Sequence, residues 1–174
     1  MRKRIVPATQ ERAAGARSDW LDLQRVVEVE MTSEDPEHPI ENALIPGREG
    51  GWRASGPGAQ VIRLLFDEPR PIRRIWLHFE EPRLERTQQL VLRWSPDRGQ
   101  NMVEVVRQQW NFSPQGATAE TEDIVLGVPN VTLLELAIIP DISGGEARAS
   151  LAQLRVEVSE SEPSQAPAAP GARE

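Results

Sequence analysis

Apolar and polar residues alternate with a period of two along most of the chain between residues 25 and 158. That period marks strands with one buried face, because successive Cβ atoms of a strand point to opposite sides of the sheet. RVVEVEM (25–31) sets Val27, Val29 and Met31 on one side, and TQQLVLRWS (87–95) does the same with Leu90, Leu92 and Trp94. In PIRRIWLHFEE (71–81), Ile75, Leu77 and Phe79 share one face while Arg74, Trp76 and His78 share the other. Runs 101–110, 119–126, 131–139 and 150–158 alternate in the same way. QVIRLLFD (60–67) is apolar almost throughout, the pattern of a strand covered on both faces. Turn residues separate the runs: Asp67-Glu68-Pro69, Ser95-Pro96-Asp97-Arg98-Gly99, Ser113-Pro114-Gln115-Gly116, Val128-Pro129-Asn130 and Ser143-Gly144-Gly145. The stretch 32–51 lacks the alternation and has room for one helical turn around Ile40–Leu44. About eight short strands with little helical period predict an all-β fold, an antiparallel β-sandwich of jelly-roll type.

Composition divides the chain into one such domain, residues 25–158, and two extensions. Residues 1–24 are expected to be partly disordered, and the Pro/Ala/Ser/Glu-rich residues 159–174 to be a disordered acidic tail. The formal charge of −7 resides in the domain: 25–158 hold 14 positive and 21 negative side chains, while 1–24 carry +2 and 159–174 carry −2. This balance argues against a general binder of phosphate backbones, and no nucleic-acid partner is expected. Arg70, Arg73 and Arg74 form the one conceivable basic stripe, and adjacent arginines alternate between the faces of a strand. No run approaches the roughly 18 apolar residues of a membrane span. The basic start, MRKR, is not followed by an apolar run, so no signal peptide is read and a cytoplasmic location is expected.

The residues for catalysis are scarce. There is no Cys or Tyr, only two His, and the sole lysine is Lys3. A set such as Ser33, Asp35 and His38 would be purely local in an irregular loop, and no nucleophile elbow, phosphate loop or dinucleotide fingerprint is present. The protein is expected not to be an enzyme.

An ordered series of landmarks runs through TSEDPEHPIENAL, GGWRASGPGAQVIRLLFDEPRPIRRIWLHF and LVLRWSPDRGQNMVEV: Ser33, Asn42-Ala43-Leu44, Trp52, Val61–Phe66, Asp67-Glu68-Pro69 and Ile72–Leu77. VTLLELAIIP and ARASLAQLRV follow as the last two strands. The series resembles the discoidin, or coagulation-factor type C, domain family, a galactose-binding-like jelly roll. The resemblance implies that Trp52 plugs one end of the sandwich and that loops at one end bind ligand. It also implies a structural calcium ion between an acidic residue after the Asn-Ala-Leu turn and a Glu of the final strand. Here Ile45 and Gln153 occupy those positions, so no metal or other cofactor is expected. The 33–54 stretch also resembles the N-terminal domain of the eukaryotic single-strand-break repair scaffold, a protein-interaction branch of the same fold.

The resemblance implies a non-catalytic binding module, with carbohydrate as the leading ligand and an intracellular protein-interaction scaffold as the alternative. The sequence leaves oligomeric state open. RQQWNFSPQGA (107–117) carries the candidate sugar site. Trp110 is its stacking platform, Phe112 its neighbour, and Arg107 and Asn111 its hydrogen-bonding groups, because sugars pair an apolar ring face with planar polar donors and acceptors. His38 joins them from the DPEHP loop. His78, alternating with Trp76 on a strand, is expected to be structural.

Overall fold

In the computed structural model, which describes residues 20–159, eight strands and two single-turn helices run α1 (Leu23–Val26), β1 (Val27–Met31), α2 (Glu41–Leu44), β2 (Trp52–Pro57), β3 (Gln60–Glu80), β4 (Arg86–Ser95), β5 (Val103–Phe112), β6 (Ala119–Ile139), β7 (Arg148–Leu151) and β8 (Gln153–Val158). The alternation becomes burial directly: along β3, Ile75, Leu77 and Phe79 are buried while Trp76 and His78 keep partial exposure. The helical turn expected around Ile40–Leu44 is α2.

Two predicted turns do not end a strand. Asp67-Glu68-Pro69 and Val128-Pro129-Asn130 lie inside β3 and β6, each 21 residues long. Proline has no N–H to give to a ladder, and the β3–β6 register shifts between Leu65 and Arg70, Arg70 and Ile72, and Ile72 and Arg74. There each strand passes from one layer of the sandwich to the other. The first half of β3 pairs with β1 and with the second half of β6, which in turn pairs with β4 and β4 with β5. The second half of β3 pairs with β8 and with the first half of β6. The result is a five-stranded layer facing a three-stranded one. Ile62, Leu64, Phe66, Leu90, Leu92, Leu134, Leu136 and Ile138 from the first, with Ile72, Ile75, Leu77, Phe79, Leu154 and Val156 from the second, belong to one core.

The run 150–158 divides at Ala152. Its first part, β7, pairs with β2 (Trp52 opposite Leu151), a small sheet that the sequence did not announce because WRASGP buries only Trp52 and Ala54. Residues 20–24, which the sequence assigns to the extension, pack on the sandwich: Leu23 is 2% exposed, and the Leu21 N–H donates to the Val156 carbonyl at 2.7 Å. The rest of the predicted N-terminal extension, 1–19, and the acidic tail from 160 lie outside the described residues.

Candidate functional site

The five residues singled out by sequence do not meet in one place. Phe112 is 1% exposed. Trp110 is half-buried, its ring centre 5.1 Å from that of Phe79 across the sandwich, so strand alternation turns it towards the core and away from a loop cavity. Asn111 is exposed on the opposite face of β5, where its Oδ1 accepts from the Thr87 hydroxyl at 2.7 Å. Arg107 is ion-paired with Glu104 at 2.7 Å. His38 is the member that lines a cavity.

That cavity is a cleft of about 530 Å³. One wall is the loop 38–53, a second is the β3–β4 turn from Glu80 to Arg83, and the floor is the β7–β8 corner from Ser150 to Gln153. The loop is held to β2 by reciprocal backbone bonds: the Asp35 N–H donates to the Arg53 carbonyl at 2.9 Å, and the Arg53 N–H to the His38 carbonyl at 3.1 Å. Glu34 secures the start of α2 by accepting from the Ile40 N–H at 2.6 Å. Trp52, 1% exposed, plugs this end of the core as the landmarks imply, its indole N–H donating to the Ser33 carbonyl at 3.2 Å. Gly51 has φ +60° and lies so close to the β7–β8 corner that a Cβ there would come within 2.6 Å of the Leu151 carbonyl oxygen. Only glycine permits that approach at that backbone angle.

The β3–β4 turn is organised by a buried ion pair. Glu81 (3% exposed) places Oε2 3.1 Å from Nη2 of Arg86, and its Oε1 accepts from the N–H groups of Arg83 and Leu84 at 3.1 and 2.9 Å. Arg86 reaches on to the Arg148 carbonyl at 2.7 Å and lies over the Phe112 ring. Burial pulls its guanidinium below the usual arginine range, the Glu81 carboxylate draws it back, and the nearby Arg53 charge adds to the depression.

His38 Nδ1 lies 3.2 Å from the Gly50 carbonyl. A carbonyl only accepts, so Nδ1 carries the proton, and Nε2 is left to act as an acceptor in the neutral ring. His78 is structural as expected: Nε2 donates to Glu80 at 3.1 Å, and Nδ1 pairs with the Thr121 hydroxyl at 2.9 Å. Arg70, Arg73 and Arg74 are each ion-paired, to Asp67, Glu157 and Asp123, which neutralises the candidate basic stripe. The resemblance implies calcium ligands at positions 45 and 153. Ile45 supplies no carboxylate, Gln153 is a neutral amide lining the cleft, and among the described residues no three His, Asp or Glu side chains are grouped to hold a metal.

Sequence reasoning missed the arginines of the cleft, Arg48, Arg53 and Arg83. Two of them flank the Gly-Gly-Trp element in GREGGWR, a concentration of charge beside glycines in the one non-strand stretch, and that signal was available.

No protein-family model matches the chain, and no curated protein matches it. Its structure is similar to several solved ones. A family 32 carbohydrate-binding module from Clostridium perfringens, in complex with galactose, is 15% identical, with 79% of this chain and 97% of that one covered and a TM-score of 0.59. A family 32 module in complex with 4,5-unsaturated mannuronic acid is also 15% identical, with 75% and 94% covered and a TM-score of 0.54. The F5/8 type C domain of a Bacteroides fragilis protein is 12% identical, with 80% and 97% covered and a TM-score of 0.53. The fold is therefore the discoidin-type β-sandwich that the sequence landmarks resemble.

Proposed function

We propose that this protein is a non-catalytic binding module that takes a carbohydrate in the cleft between the 38–53 loop, the β3–β4 turn and the β7–β8 corner. The observation that carries the reading is the composition of the cleft. His38, Gln153, Arg48, Arg53 and Arg83, each with a side chain that can donate hydrogen bonds, line one loop-built concavity. Sugar hydroxyls demand such closely spaced, directional donors and acceptors. The fold supports the reading, since similar modules were solved with galactose and with an unsaturated mannuronic acid. Trp52 closes the cleft from beneath and is too buried to offer an open stacking face. Recognition here rests on polar groups, and Trp110 is not part of the site.

A non-catalytic role fits the side chains present. Of the two His, His78 has both ring nitrogens engaged, and there is no Cys or Tyr in the chain. The scaffold alternative draws no specific support from the similar structures.

A glycan array probed with the protein and with His38→Ala tests the proposal. Binding to a glycan family that falls about tenfold or more in the variant, with unchanged circular dichroism, is the expected result. An array on which the folded protein binds nothing overturns the carbohydrate reading, and binding indifferent to His38→Ala moves the site elsewhere.

A further inference from the structure

Resting on that reading of the cleft, we infer that its ligand is an anionic saccharide, whose carboxylate or sulfate oxygens are held by the guanidinium groups of Arg48, Arg53 and Arg83. Fourteen arginines fall among the described residues. Nine of them are ion-paired with Asp or Glu. Arg98 and Arg155 donate instead to backbone carbonyls, those of Phe66 and Ala43. The three that remain, with no side-chain hydrogen bond or ion pair, are Arg48, Arg53 and Arg83, and all three line the same cleft. They come from the 38–53 loop, from β2 and from the β3–β4 turn, so no local sequence effect groups them.

In a domain with a marked acidic excess, an arginine within reach of carboxylates ordinarily takes one. The carboxylates of this cleft are already committed: both oxygens of Glu81 are used by Arg86 and by the turn N–H groups, and Glu80 holds His78. Glu49 has no partner and Glu80 meets only an imidazole, so three unpaired guanidinium groups face two carboxylate charges and the cleft keeps a positive excess. A guanidinium presents its N–H groups as a planar fork matched to paired oxyanion oxygens, and a charge-assisted bond of that kind is about twice as strong as a neutral one. Arg53 also stands close enough to Arg86 to disfavour its charge, so an incoming anion relieves a repulsion already present.

The test is isothermal titration with matched pairs: oligogalacturonate and its methyl ester, a sialylated oligosaccharide and its desialylated form, and a sulfated oligosaccharide and its desulfated form. Each is run on the wild type and on Arg48→Gln/Arg83→Gln. Both substituted side chains are exposed and make no intramolecular bond, so the fold is expected to survive, which a melting curve checks. The expected result is at least about tenfold tighter binding of one anionic member than of its uncharged counterpart, a margin that collapses in the double variant and shrinks with added salt. Whether the carboxylated or the sulfated pairs show that margin tells the two anions apart. Equal affinity for charged and uncharged members, or a margin that survives the double variant, overturns the inference and leaves the carbohydrate reading standing. Binding to no member of any pair overturns both.

Discussion

Glu122 shows how a single side chain can work against the fold that surrounds it. On β6 it alternates with Thr121 and Asp123, so it points between the layers, beside Glu120 two residues earlier on the same face. Burial first, and the Glu120 charge second, push its carboxyl above the usual glutamate range. The folded protein therefore holds this proton more tightly than the unfolded chain. The stability linked to it is fully present below the unfolded pKa and is lost as pH rises through the folded one. Glu122→Gln is expected to raise the urea midpoint at about pH 7 and to change it little near pH 4, where the glutamate is largely protonated. Urea titrations at both pH values check this, and an equal effect at the two would mean that charge is not the cause. The alternation of AETED made Glu120 and Glu122 legible as one face, but not that this face is the inner one.

Among the elements, the β3–β4 turn depends most on a single interaction. Its backbone is ordered by Glu81, and Glu81 is held by Arg86, which ties the turn to β7 through the Arg148 carbonyl. Glu81→Gln keeps an oxygen for the two turn N–H groups but leaves the buried Arg86 charge without its counter-ion. Breaking one side of a buried pair costs about 3–5 kcal/mol, so a comparable loss of unfolding free energy is expected in urea denaturation. A loss under about 1 kcal/mol, the worth of an exposed pair, would show that water reaches Arg86. Nothing in EEPRLERT marks this pair: Glu80, Glu81, Arg83 and Arg86 read alike as surface charges until the fold covers two of them. The same holds for the long strands. Asp67-Glu68-Pro69 and Val128-Pro129-Asn130 have turn chemistry, yet partners on both sides of each bend keep the chain extended through it.

At the scale of the whole molecule, Trp110 and the cleft part company. The Trp110 ring packs on Phe79 between the layers and touches the main core. Trp110→Ala is expected to cost roughly 2 kcal/mol of stability, below the 3–5 kcal/mol of a fully buried aromatic, and to leave glycan affinity at the cleft unchanged. Thermal melting and titration on the same sample check both halves, and loss of affinity in a folded variant would return Trp110 to the site.

Period-two alternation is a local property, and with the turn residues and the Trp52 landmark it was enough to determine an all-β sandwich of the discoidin type, the inward faces of its apolar strands and the structural role of His78. Burial and convergence are properties of the assembled layers. Which arginines find a carboxylate depends on cross-strand neighbours tens of residues away, as with Arg74 and Asp123 or Arg63 and Glu135. GREGGWR draws attention to Arg48 and Arg53, but that they and Arg83 are left over, and stand around one cleft, is decided only by the tertiary structure, which engages the nearby acids elsewhere.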